Sequence, residues 1–273
     1  MQSRIFLTLV CVANSCLFAA GVPSGSTPDL EEFSSSASAL PQLSKADFDL
    51  LDKAQIENEK LYNSLQSFVC DETIERSHAA LDLRSVRRVD TLTARVSFEN
   101  GTERYTDVRS NNRARASISH LNGAWSEGEF GTLLRQTREL LNSQQVLFVD
   151  SVVINGAPAT RFEFEVPESE SPWNLIVEGH SYRVPFRTVV AIDNTSGRIL
   201  EVHRTSTSMP AETRISELQW SVRLDSVNVN RAQWLLPVSG EYSVLYAEEN
   251  RREWNRLEFS NYHRYGSEVA LRY

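Results

Sequence analysis

The sequence predicts a mainly β protein of the α+β class, with one long meandering antiparallel sheet and two helices packed on it. Three observations carry this. Most of the chain alternates apolar and polar residues with period two, as in "RFEFEV", where Phe162, Phe164 and Val166 alternate with Arg161, Glu163 and Glu165. Turn-forming residues separate these runs at short intervals. Only two segments have helical spacing, and strands never alternate with helices in the way a parallel sheet requires.

Taken in order, the first 21 residues, MQSRIFLTLVCVANSCLFAAG, carry one basic residue, Arg4, then an apolar run from Ile5 that ends in the small residues Ala19, Ala20 and Gly21. This is the pattern of a secretory signal peptide cleaved after Gly21, so the protein is expected in the periplasm or outside the cell. Asn14 and Ser15 interrupt the run, and no later segment approaches the ~20 apolar residues of a spanning helix. Cys16, after Ala-Asn-Ser, leaves lipidation as an alternative to ordinary cleavage. Residues 22 to 44 are rich in Ser and Pro and read as a flexible tether. Residues 45 to 273 then read as a single domain.

Ser44 is placed to cap a helix whose first turn holds Asp47 and Asp49, with Phe48, Leu51, Ala54, Leu61 and Leu65 recurring at roughly helical spacing through Gln66. From Ser67 to His263 the pattern gives roughly nine to eleven strands. Asn100-Gly101 and Asn155-Gly156 are hairpin signals. Between those hairpins, "EFGTLLRQTRELLNSQ" puts Phe130, Leu133, Leu134, Thr137, Leu140 and Leu141 on one helical stripe, which must dock on something flat. In "VVAIDNTSGRIL" the polar centre has the composition of a hairpin loop, with Asp193 and Asn194 placed to serve local amides and Gly197 free to take positive φ. "WSVRLDSV" repeats the alternation through Trp220, Val222 and Leu224. The last residues, "YGSEVALRY", alternate up to a terminal aromatic, as the final strand of an outer-membrane barrel does. The two amphipathic helices and frequent charges favour a soluble sheet over that alternative.

The net charge of −8 becomes −9 once Arg4 leaves with the leader, which argues against nucleic acid as a partner. Eight of the arginines fall between residues 84 and 115, against four acids in the same stretch. Arg84, Arg87 and Arg88 could form a surface for anionic head groups or carboxylates. The plainer reading is a set of solvated strand faces with cross-strand ion pairs. Cys11 and Cys16 lie in the leader, so Cys70 stands alone and reads as a small buried apolar residue.

The sequence carries little recognisable chemistry. The five histidines stand far apart, no pair has zinc-ligand spacing, and "CDETIERSH" spreads Cys70 and His78 some ~26 Å apart along a strand, so no metal is expected. The only approach to a nucleophile elbow is "GAWSEGEFG" around Ser126, where the first glycine is displaced by one position. Glycine-rich phosphate loops are missing, and no cofactor is implied. Asn100-Gly-Thr102 and Asn194-Thr-Ser196 match the glycosylation sequon, which would mark exposed turns in a eukaryotic secretory pathway.

The element order, with Ile192, Asp193, Ser196, Gly197, Arg198 and Leu200 around the central turn, then Val227, Leu236 and Pro237, and "EFSNYHRY" near the end, resembles the LolA/LolB-like superfamily of exported bacterial proteins. That superfamily includes lipoprotein carriers and envelope-stress regulators. The resemblance spans residues 45 to 262. It implies a strongly curved sheet or incomplete barrel whose apolar concave face, covered by the two helices, accepts acyl chains or a lipidated peptide. The expected function is therefore a non-enzymatic binding protein for a lipid, lipoprotein or other apolar ligand, lined by Phe98, Trp125, Phe130, Leu134, Phe162, Phe164 and Trp220. The alternative is an envelope sensor or protein-interaction module that uses a sheet edge or the Arg-rich strands. The long tether and the arginine cluster depart from the carriers, so cargo and transfer partner do not carry over.

Overall fold

The computed structural model describes residues 5–7, 43–81, 85–99, 101–117 and 123–265. The first helix, α1 (Lys45–Leu65), starts as its sequence demands. Ser44 accepts from the Asp47 amide and the Asp47 carboxylate accepts from the Ser44 amide, a reciprocal cap that satisfies two donors at once.

Eleven strands form one open antiparallel sheet. In chain order they are β2 (Phe68–Ala79), β3 (Val86–Glu99), β4 (Thr102–Ser110), β5 (Arg113–Ala114), β6 (Leu147–Ile154), β7 (Ala157–Val166), β10 (Phe186–Asp193), β11 (Ile199–Ser206), β12 (Glu217–Val229), β13 (Ala232–Tyr246) and β14 (Arg251–Arg264). The spatial order is β5-β4-β3-β2-β14-β13-β12-β11-β10-β7-β6. Two meanders thus meet where β2 pairs with β14. β1 (Ile5–Leu7), β8 (Asn174–Val177) and β9 (His180–Arg183) make a separate small sheet in the order β1-β8-β9. The described chain from residue 67 to 264 holds more strands than the expected nine to eleven. The additions are short: β5, β8 and β9 have two to four residues, too few to show a period. The terminal "GSEVALRY" lies outside the described residues.

The order of strands dictates where the second helix goes. β5 and β6 are the two edges of the sheet, yet they are neighbours in sequence, so the chain between them must cross the whole sheet. It crosses as α2 (Thr132–Ser143), laid on the inner face with Leu133, Leu134, Leu140 and Leu141 buried, each worth about 1.5–3 kcal/mol of apolar burial. The sequence pattern had the helix begin near Gly128. The segment before Thr132 is instead a buried loop, and Phe130 packs from it against Phe259 and Tyr262 at ring distances of 6.3 and 6.1 Å.

The VVAIDNTSGRIL segment is the hairpin its composition announces. Asp193 Oδ1 accepts from the Thr195 and Ser196 amides at 2.8 and 2.5 Å, and Gly197 takes φ +75°. The loop also seats α1. Asn58, buried in the helix, donates to the Gly197 carbonyl at 3.1 Å and accepts from the Ile199 amide at 2.9 Å, while Lys53 donates to the Thr195 carbonyl. At the other hairpin the signal is equally literal, with Asn155 and Gly156 both at positive φ (51° and 84°).

Candidate ligand-binding interior

Between α2, the loop that precedes it and the inner sheet face lies one continuous apolar core. All seven residues expected to line it are buried there: Phe98, Trp125, Phe130, Leu134, Phe162, Phe164 and Trp220. They are spread along the face. Phe98 packs edge-on to Tyr62 of α1 at 5.4 Å and lies so close to Gly131 that a Cβ there would stand 3.0 Å from its ring. Leu134 faces Val202, Val222 and Leu224, and the gap left between helix and sheet is about 10 Å³, room for about one water molecule. At this point, among the described residues, α2 fills the space against the sheet.

The start of α2 is held by a residue from another strand. Gly131 precedes the helix and has no side chain to cap it. Glu103, on β4, reaches in and accepts from the amides of Gly131 (2.8 Å), Thr132 (2.9 Å) and Gly128 (3.2 Å), and from the Tyr105 hydroxyl (2.6 Å). An anionic acceptor at a helix N-terminus meets both the orphan amides and the dipole. The loop ahead is clamped from β14: Glu253 accepts from the Ala124 amide at 2.7 Å, and Asn255 donates to the Ala124 carbonyl at 2.9 Å.

Near this cap the interior holds further acids. Glu72, on β2, is 1 % exposed and neither of its oxygens has a hydrogen-bond partner. Burial, then the charges of Glu129, Glu103 and Glu127, raise it well above the usual carboxylate range. Burial, followed by the charge of Glu103, pushes Glu129 up to about 8 and Glu127 up to about 7. Glu103 thus meets the start of α2, while burial shifts Glu72 and Glu129 towards their neutral forms in apolar surroundings.

Further along α2 the interior holds the opposite kind of group. Arg204, on β11, is 1 % exposed, with its guanidinium 4.1 Å from the ring centre of Phe186 and 5.8 Å from those of Trp173 and Trp220. Trp173 gets there because residues 167–185, between β7 and β10, fold back over the inner face through β8 and β9. Ser171 pins that excursion by donating to the Val184 carbonyl at 2.5 Å and accepting from the Trp173 amide at 3.0 Å.

The arginine-rich stretch stays outside. Arg87 and Arg88 are exposed on β3, Arg88 lies 3.3 Å from Glu75 across the sheet and also donates to Thr91, and Arg95 meets Asp71 at 3.5 Å. Arg84 lies outside the described residues. No three His, Cys, Asp or Glu residues stand where they could share a metal ion, among the described residues. Within the same set, no helix is long and apolar enough to cross a membrane.

No protein-family model matches the chain, and no curated protein matches it in sequence. Solved structures do. One is a putative outer membrane lipoprotein-sorting protein domain from Vibrio parahaemolyticus, 10% identical, covering 81% of this chain and 93% of its own, with a TM-score of 0.37. A DUF1329 family protein from Desulfovibrio piger is 9% identical over 84% of this chain and 96% of its own, with a TM-score of 0.41. The MucA/MucB complex of Pseudomonas aeruginosa includes a chain 10% identical over 78% of this one and 99% of its own, with a TM-score of 0.22. Likeness at these levels says nothing of a ligand, which has to be sought in this chain's own residues.

The buried charges were missed from sequence, although each left a signal. Glu72 and Arg204 both stand in the apolar phase of an alternating strand, Glu72 between Cys70 and Ile74 and Arg204 two residues after Val202. The capping role of Glu103 left none, because it depends on β4 lying beside the loop before α2.

Proposed function

We propose that the protein is an exported, non-enzymatic binding protein that takes a lipid, a lipidated protein or another apolar ligand between α2 and the inner sheet face. In this reading residues 1–21 are removed as a leader, which takes β1 from the edge of β8, residues 22–44 are a tether, and the rest is one domain. The observation that carries the reading is the state of the interior under α2. Native cores pair nearly all their buried polar groups. Here Glu72, Arg204, Thr188, Trp173 and Trp220 all hold buried polar atoms without partners, in a largely apolar layer covered by α2, α1 and the 167–185 segment. A layer built for stability alone has no use for them, whereas a ligand that lifts α2 would meet them. Phe98, Trp125, Phe130, Leu134, Phe162, Phe164 and Trp220 supply the apolar lining.

Native mass spectrometry of protein purified from its own envelope tests this. A bound apolar species that departs on denaturation is the expected result. Ligand-free protein in repeated preparations, together with no uptake of N-phenylnaphthylamine by the delipidated chain, would overturn it.

A second reading, an envelope sensor or protein-interaction module, draws on the edge strand β6, which exposes Val149 and Val153 (41% and 73%) beside an unpaired row of backbone groups, and on Arg87 and Arg88. Under it, Arg87→Glu/Arg88→Glu or Val153→Lys would strip a specific protein from a pull-down. An unchanged partner set would count against it.

A further inference from the structure

Arg204 is a buried cation with no counter-charge beside it among the described residues. Its Nη1 donates to Gln136 Oε1 of α2 at 3.2 Å, while Nε and Nη2 have no acceptor. The other buried groups around it that lack partners are Nε1 of Trp173, Nε1 of Trp220 and the hydroxyl of Thr188, which pairs with Arg204 across β10 and β11. Every one of them can donate. Burial alone lowers the guanidinium to about 9, with no carboxylate contributing. Placing an ionised group in an apolar interior is costly unless an anion pairs with it. Three aromatic faces offset part of that, and one glutamine satisfies one of five N–H donors. The cluster lacks an acceptor-rich anion.

The apolar surroundings say what the anion is attached to. Arg204 pairs with Trp220 across β11 and β12, and the next pair on the same face is Val202 with Val222. Those two valines, with Leu224 opposite Leu133 and Leu134, bound the gap under α2. A group held at Arg204 therefore has an apolar path starting about 7 Å away along the strands, beneath the helix.

We infer that Arg204, with Trp173, Trp220 and Thr188, receives the acid group of an anionic amphiphile whose chain runs under α2 along Val202, Val222 and Leu224. This rests on the binding reading above and sharpens it to a ligand class: a single acyl or alkyl chain ending in a carboxylate or a phosphate monoester. The guanidinium fork matches either head group bidentately. Entry lifts α2 and replaces the Gln136 contact with the ligand's oxygens.

The test uses cis-parinaric acid and its methyl ester, which share the chain and differ in charge, with the delipidated protein. The acid is expected to bind at least about tenfold more tightly than the ester, the gain of one charge-assisted pair. In Arg204→Met the preference should vanish while ester affinity stays within about threefold, because the apolar path is intact. Arg204→Lys guards against a misfolded Met variant: it keeps the charge without the fork, and the preference should fall by about threefold. Dodecanoate and dodecyl phosphate should each displace the probe, and displacement by only one would fix the head group. Equal affinity for acid and ester, an unchanged preference in both variants, or displacement by inorganic phosphate as effective as by dodecyl phosphate would each overturn the inference while leaving apolar binding in place. Failure of both acid and ester to bind would remove the binding reading itself.

Discussion

Glu129 makes the stability of this protein depend on pH in a direction opposite to that of an ordinary surface acid. The residue is 2 % exposed, beside Glu103 and Glu127, and burial first and Glu103 second push it up to about 8 from 4.5. A group whose folded value lies above its unfolded value binds its proton more tightly in the folded state. Its contribution is therefore complete below pH 4.5 and lost as pH rises through 8. Worked through the linkage relation, Glu129 alone should remove about 2–3 kcal/mol of stability between pH 5 and pH 7. For a domain of this size that is a fall of about 5–10 °C in Tm.

The perturbation is Glu129→Gln, which keeps the shape and removes the ionisation. Urea unfolding followed by tryptophan fluorescence at pH 5, 6, 7 and 8 measures it. The variant should match the wild-type protein within about 1 kcal/mol at pH 5 and exceed it by about 2 kcal/mol at pH 7. The decisive quantity is the difference in slope between the two proteins, because every other group is common to both. Parallel curves would refute the placement of Glu129 as a neutral acid in the interior. Glu72→Gln should act in the same direction, and the double variant should give less than the sum because the charge of Glu129 contributes to the shift at Glu72.

Removing the cap on α2 should be costly: Glu103→Ala leaves the amides of Gly128, Gly131 and Thr132 without their acceptor, and a loss of about 2–4 kcal/mol, with faster hydrogen exchange at 128–132, is expected. Asn58→Ala unties α1 from the 193–198 loop and should cost about 1–3 kcal/mol by thermal melting, with no change in the melt if the Gly197 and Ile199 bonds carry nothing. Cys70 is 1 % exposed and burial pushes its thiol up, so Ellman's reagent should leave the native protein untouched and label it at once in urea. Labelling of the native protein within minutes would contradict that burial.

What the sequence reveals and what it hides divide by range. The hairpin at Asn155-Gly156, the loop from Asp193 to Gly197 and the cap at Ser44 were legible because each is satisfied by atoms within a few residues. The stripe of α2 was legible because period is local too. Pairing of β2 with β14 was not: Arg76 meets Asn255 across the sheet, and nothing near either residue announces the other. The small sheet of β8 and β9 escaped for a different reason, since four-residue strands are shorter than the window in which alternation can be recognised.

The interior was half legible for a physical reason that also explains its chemistry. An alternating strand tells which residues point inward, so Phe162, Phe164 and Trp220 could be placed on the inner face from spacing alone. The same rule puts Glu72 and Arg204 inward, between apolar neighbours, in "FVCDETIER" and "ILEVHRTS". A charge in that phase contradicts the economics of folding, because it exchanges water for an apolar layer. Such a contradiction is resolved in one of three ways: the strand shifts register, the group meets an opposite charge, or it changes protonation state. The register holds through both residues. Glu72 takes the last course, since burial and the charges around it shift it towards the neutral acid. An arginine has no comparable course, because its proton is held too tightly to give up near neutral pH. Arg204 also has no carboxylate beside it. Gln136 and three aromatic faces meet only part of its cost of burial, and the anion that would meet the rest is what a ligand's acid group supplies.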